Sequence, residues 1–352
     1  MSHKSIFSSF TDDLASRNLM EKRYSVHGLP VRIVSDSAII LNAVNGLLDY
    51  FSVHDSVSPE VTFYVTTHEP SEFSWKKDFL REGRVLFDSA EETEFVLTSM
   101  KDFRLRYRSW ETYYMADYGP WGSFFLDTAA GLAVGFLPQP EAVHPAILSN
   151  FLFLLPFAEM FRARDYFLVH SAAVMAKGKG VIVPALSGSG KTTLCLSLLR
   201  GGFKYLSDDR PFLRKVNGSF EILSFPEDID VTEETISLFP ELSALDPTFL
   251  KKGLRKKNFR VESVYPGITV DRTVPHVLIF PQIVDREKSR LHSLPKIEAV
   301  SRLLPHSLLV MDPDVAVRQF NVLCELVENV DCFALDYGRD VLDVHRMINQ
   351  LL

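Results

Sequence analysis

The stretch "VIVPALSGSGKTTLCLSLLRGG", Val181–Gly202, leaves the chain few ways to fold. An apolar strand runs into a short Ser/Gly loop, and the loop opens an amphipathic helix that "RGG" ends, glycine supplying the positive-φ residue of a helix stop. Gly188 and Gly190 let the backbone wrap closely around an anion with several N–H groups pointing inward. The helix that follows aims the positive end of its dipole at the same place. Ser187, Gly188, Ser189, Gly190, Lys191, Thr192 and Thr193 are therefore the candidate nucleotide-phosphate contacts. Lys191 would reach the β- and γ-phosphates, and the Thr192 hydroxyl would take a place on Mg²⁺. Ala185 stands where the usual phosphate-loop pattern has its first glycine, and as a small residue it still permits close approach.

A pair of acids, Asp208 and Asp209, follows Lys191 after 17 and 18 residues. Only one helix and one turn intervene, so the strand "KYLSDD" is expected to run beside the loop strand and deliver both carboxylates to the phosphate site. Two acids there can divide labour, one holding a metal and the other taking a proton from an attacking hydroxyl. The spacing alone does not say which does which, because burial and mutual repulsion compete in setting each pKa. Arg210, next in the chain, is a candidate for phosphate or carboxylate contact.

The run "HSAAVMAKGKGVIVPALSGSGKTTLCLSLLRGGFKYLSDDRPFL", His170–Leu213, resembles the nucleotide-binding core of the HPr kinase/phosphorylase family and its HPr-kinase-related relatives. The shared features are a His-bearing strand, a hairpin, a loop of pattern S-G-x-G-K-[ST], a helix ending in R-G, and a strand closing in Asp-Asp. Softer similarity extends through "FPEDIDVTEE", "VLIFPQIV" and "AVSRLLPHSLL", but not over residues 1–140. The E-x-R-G signature of true HPr kinases is not found downstream. The resemblance implies an α/β fold akin to phosphoenolpyruvate carboxykinase. It also implies Asp208 as catalytic base, Asp209 beside it on the metal with Thr192, and His170 near the reaction centre.

The rest of the sequence fits around this core. Residues 1–140 are dominated by short β-type runs with one helical stretch, "AIILNAVNGLLDYF", and read as an antiparallel β-rich lobe for substrate recognition or oligomerisation. Residues 141–352 read as a mixed α/β nucleotide-binding domain. The apolar run "AILSNFLFLLPFAEMF", Ala146–Phe161, contains Pro156 and Glu159 and is short for a bilayer, so a buried helix is expected. The start of the chain lacks the pattern of a signal peptide, and a cytoplasmic protein is expected. Three cysteines without metal spacing suggest no disulfide framework. A net charge of −7 argues against a nucleic-acid binder, despite the basic run "KKGLRKKNFR", Lys251–Arg260. That run is either a solvated loop or a patch that neutralises transferring phosphoryl charge or draws in an acidic peptide.

These readings converge on an ATP- and Mg²⁺-dependent kinase that phosphorylates a hydroxyl, expected in Ser or Thr of a peptide or protein. The alternatives are a kinase of a small hydroxylated metabolite and a non-catalytic nucleotide-binding switch. A homo-oligomer is expected, with neither nucleic acid nor membrane as partner.

Overall fold

The computed structural model describes residues 18–54, 57–68, 81, 83–88, 103–186, 188–243, 247–251, 254–307 and 310–352; the side chains of 247–256 lie outside that description. The chain divides into two compact units, Met1–Arg164 with Met311–Pro313, and Asp165–Val310 with Asp314–Leu352.

In the first unit, β1 (Met20–Val26) and β2 (Leu29–Ser35) form a hairpin. His27 and Gly28 join them with φ of 51° and 88°, the primed two-residue turn whose twist matches that of the strands. Helix α1 (Ala38–Leu48) starts at Ser37, whose Oγ accepts from the Ile40 N–H, and buries Ile40, Leu41, Val44, Leu47 and Leu48. The chain then continues through β3 (Val61–Thr66), β4 (Arg84–Asp88), β5 (Arg106–Trp110), β6 (Tyr113–Asp117), β7 (Ser123–Asp127) and β8 (Leu132–Phe136). The "EFVLTS" run expected as a strand lies outside the described residues. The eight strands make one sheet in the order β1-β2-β3-β8-β7-β6-β5-β4. It is β-rich as expected, but mixed rather than antiparallel, since β2 pairs parallel with β3 and β3 with β8. Helix α1 accounts for the first of these pairings: a helix between two neighbouring strands carries the chain back to the same end of the sheet.

The apolar run becomes a π-helical stretch, Leu148–Phe153, continuing into α2 (Leu154–Arg162), and it belongs to the first unit. Phe153 lies 5.0 Å from the Phe63 ring of β3 and 6.4 Å from Phe124 of β7, while Phe157 and Phe161 stack at 4.3 Å. These contacts move the boundary to residues 164/165 from the 140/141 expected from sequence texture. The helix is buried all round, and its Glu159 and Arg162 pair at 2.5 Å inside it. Among the described residues no helix is long and apolar enough to cross a membrane.

The second unit contains β9 (Phe167–Leu168), β10 (Ser171–Ala176), β11 (Lys179–Pro184), α3 (Lys191–Arg200), β12 (Lys204–Ser207), β13 (Phe212–Val216) and β14 (Ser219–Leu223). Next come β15 (Ile229–Thr232), α4 (Glu233–Leu238), β16 (Pro247–Lys251), β17 (Leu254–Phe259), β18 (Arg272–Ile283) and β19 (Arg290–Ser293). Helices α5 (Lys296–Leu303) and α6 (Pro313–Asn329), strand β20 (Asp331–Tyr337) and helix α7 (Val344–Asn349) complete it. The main sheet runs β12-β10-β11-β18-β14-β13-β9, with β20 pairing to β18 and β19. A smaller sheet, β15-β17-β16, takes up most of the backbone of the basic run.

Alternation along the central strands sorts their side chains onto two cores. Val181 and Val183, with Val277 and Ile279, join Leu194, Leu198 and Leu199 of α3 and Val344 and Ile348 of α7. Ile182, Leu278 and Phe280 face the other way, onto Leu303 of α5 and Leu323 and Leu326 of α6. A sheet covered on both faces is why "VIV" and "VLIF" read as unbroken apolar runs. Each fully buried leucine contributes ~1.5–3 kcal/mol. Helix α3 stops as its sequence indicates, though the two glycines act differently. Gly202 holds the positive φ of 89°. Gly201, at −74°, is required by close approach, because a Cβ there would lie 2.4 Å from the His345 ring.

Candidate active site

Strand direction brings the candidate residues together. β10 pairs antiparallel with both β11 and β12, matching Ser171 with Pro184 and Ala173 with Ser207. The end of β11, the end of β12 and the start of β10 therefore meet at one edge of the sheet. β11 leads into the glycine loop, β12 into Asp208 and Asp209, and His170 stands just ahead of β10. The acid strand does not run beside the loop strand as expected; β10 lies between them. The reason is the tight hairpin at Lys177 and Gly178, both with positive φ, which seats β10 against β11 first.

The loop adopts the backbone its glycines allow, with φ of 85° at Gly188 and 88° at Gly190. Ser189 turns back on the loop, its N–H and hydroxyl both donating to the Leu186 carbonyl, at 3.2 and 2.5 Å. Ser187 lies outside the described residues. Gly190 opens α3, its carbonyl accepting from the Leu194 N–H at 2.8 Å. Thr193 faces away from the acids, its hydroxyl 3.3 Å from that of Thr235.

Lys191 spans the space over β10. Its buried ammonium donates to the main-chain carbonyl of Asp208 and to Asp209 Oδ1 at 2.9 Å, and lies 4.0 Å from Asp208 Oδ2. The two acids differ. Asp208 is buried; its Oδ2 accepts from the Thr192 hydroxyl at 2.8 Å, while its Oδ1 has no partner. Asp209 keeps 39% of its side chain exposed, and its Oδ1 also meets His170 Nε2 at 2.8 Å. Burial pushes the Asp208 carboxyl above the usual range, outweighing Lys191 and Thr192. Burial would raise Asp209 too, but Lys191, His170 and Arg210 together hold it well below that range. Burial works against the Lys191 charge, and the two carboxylates overcome it, holding the lysine above its ordinary value.

Arg210 is brought to the site but turned away from the loop. Its Nε lies 3.7 Å from Asp209 Oδ2, while Nε and a terminal nitrogen donate to Glu227 Oε2, the former at 3.0 Å. Glu227 in turn accepts from the Ser207 hydroxyl, and Ser207 Oγ accepts from the N–H groups of Asp209 and Arg210. This buried network fixes the turn that carries the acids, and Glu227 was not singled out from sequence. Neither was His306, whose ring centroid lies 5.9 Å from that of His170. It is buried, its Nδ1 lacks a partner, and burial together with His170 and Lys191 pushes its pKa down to about 4. The backbone at His170 is clasped from two sides. The amides of Val169, His170 and Ser171 donate in turn to the carbonyls of Pro211, His306 and Asp209, at 3.1, 2.7 and 3.0 Å.

The donor set at Thr192 and Asp208 is oxygen only, a hydroxyl and a carboxylate with one unmet lone-pair face. That suits Mg²⁺, which takes one or two protein oxygens and completes its shell with water and phosphate. Among the described residues no group of three or more His, Cys, Asp or Glu forms a protein-only metal cage.

No protein-family model matches the chain, and no curated protein does. Among solved structures the chain is similar to an HPr(Ser) kinase/phosphatase from Coxiella burnetii, with 13% identity over 52% of this chain and 88% of that one. The TM-score is 0.31, too low for the likeness to carry an argument about this chain.

Proposed function

We propose that the second unit is a phosphotransferase that moves the terminal phosphoryl group of a Mg²⁺-bound nucleoside triphosphate, ATP in the first instance, to a hydroxyl of a peptide, protein or small molecule. One observation carries this reading: the glycine loop and its lysine face two adjacent carboxylates of opposite character, one buried on Thr192 and one open beside His170.

The roles follow from placement. The loop N–H groups and Lys191 hold the phosphates and neutralise the charge that spreads over the transferring group. Thr192 and Asp208 would hold Mg²⁺, which supplies charge stabilisation at the phosphate oxygens. Asp209, open and ionised, accepts the hydrogen bond and then the proton of the acceptor hydroxyl, with His170 fixing its orientation. This exchanges the roles that the family resemblance implies for the two acids. A strong base is not required, because the transition state of phosphoryl transfer is loose and orientation matters more than basicity.

The test uses γ-labelled ATP, Mg²⁺ and a panel of Ser/Thr peptides and hydroxylated metabolites. Asp209→Asn should reduce label transfer about 10²–10⁴-fold while leaving ATP affinity within a few-fold. Asp208→Asn should instead raise the Mg²⁺ concentration needed for ATP binding. Label that never leaves the nucleotide except to water, or an Asp209→Asn variant as active as wild type, would count against the proposal.

A further inference from the structure

The glycine loop has two flanks, and the acids, Lys191 and His170 account for only one of them. On the other flank lie β18 and β20, which run parallel to each other, and β18 runs parallel to β11. They end in register at Ile283 and Tyr337. Both strand ends meet the loop: a Cβ on Gly190 would lie 3.3 Å from the Ile283 side chain and 3.3 Å from the Tyr337 ring. Ile283 nevertheless leaves 58% of its surface in water, and Leu186, at the loop's own rim, leaves 62%. A single exposed aliphatic side chain is ordinary. Two beside one phosphate-sized loop, one of them in contact with it, form an apolar shelf next to a polar cradle, and that is the usual composition of a small-molecule site.

Direction decides what the shelf holds. A triphosphate over the loop has its reacting end at Lys191 and Asp209, on the β10–β12 side. Its other end then points across β11 toward the carboxyl ends of β18 and β20, where ligands of open α/β sheets are held. We propose that this shelf, with Ile283 as its centre and Leu186 at its edge, binds the base of the donor nucleotide; the proposal rests on the phosphoryl-transfer reading. A flat aromatic base covers aliphatic carbon of this kind on one face. Arg286, three residues further along the chain, is half exposed and lies 3.6 Å from Asp336. The site therefore selects a nucleoside triphosphate over an inorganic polyphosphate as donor.

The experiment compares two ligands that share phosphates and differ in the base, Mg²⁺-ATP and Mg²⁺-tripolyphosphate, by calorimetric titration of the full chain. Ile283→Ser removes the shelf without adding charge that would repel phosphate, and its exposure makes it compatible with folding, which circular dichroism checks. Expected is a roughly tenfold loss of ATP affinity, the equivalent of losing about one aliphatic contact, with tripolyphosphate affinity unchanged within twofold. Unchanged ATP affinity, or equal loss for both ligands, overturns the base site. Lys191→Met separates the two levels of the argument. If it abolishes binding of both ligands while Ile283→Ser spares ATP, the base site alone falls. If the wild type binds neither ligand, the phosphoryl-transfer reading falls and the base site with it.

Discussion

Asp208 and Asp209 are adjacent in the chain, and their surroundings make them different acids. Successive side chains leaving a strand end point to opposite sides, so one carboxylate goes inward to Thr192 and the other outward to His170. Sequence spacing was enough to bring both to Lys191, because one helix and one turn allow little else. It did not separate them, since the separation comes from burial. Arg210 shows the same limit: its neighbours in sequence suggest a phosphate ligand, while its guanidinium is engaged by Glu227, a residue with no local signal. His306 has none either, being brought to His170 from far along the chain. Its buried neutral ring has a consequence for stability. Unfolded chain takes up a proton as pH falls through 6.5, whereas the native ring resists until about 4, so acid favours unfolding across that window. The native charges facing it are those of His170 and Lys191, both opposing its protonation. His306→Phe should therefore lose less Tm than the wild type between pH 6.5 and 4.5, although the two differ little at pH 8. Parallel curves over that range would contradict the assignment.

At the level of elements, helix α3 was legible nearly to its last residue, because glycine loop, apolar stripe and glycine stop are all local signals. Strand neighbours were not. Nothing in "HSAAVMA" says that it inserts between loop strand and acid strand, since antiparallel neighbours on either side satisfy the same alternation. The insertion makes room for a strand beginning, and hence His170, between two strand ends. The end of α3 supplies a sharper test of packing. Alanine tolerates the φ of Gly201, so backbone propensity predicts a gain on Gly201→Ala. The His345 ring in the path of the new methyl predicts a loss of about 1–3 kcal/mol instead. Adding His345→Gly, which removes the ring and also the Cβ that would lie 2.5 Å from the new methyl, should restore most of it in a denaturation double-mutant cycle; an equal loss in both backgrounds would place the strain elsewhere.

Across the whole molecule, the division into a β-rich first half and an α/β second half could be read from texture, but its position could not. The run Ala146–Phe161 looks alike in either context, and residues distant in the chain, among them Phe63 of β3, Phe124 of β7 and the Tyr118 hydroxyl on the Leu152 carbonyl, tie it to the first unit. The parallel pairings of that unit were also hidden, because its strands are as short and as evenly spaced as those of an antiparallel meander. In the second unit the site is tied together from stretches far apart in the chain, at 169–171, 209–211 and 304–307, and the alternating amides record how. Isotope exchange at Val169 and Ser171 depends on the acid-bearing turn, and exchange at His170, between them, on the turn of His306. Loosening the latter with Pro305→Gly should make the His170 amide exchange faster while its two neighbours keep their rates, whereas a common acceleration would mean the walls open as one. Three consecutive amides would then act as two clocks, the outer pair and the one between them, timing the opening of one wall of the site against the other.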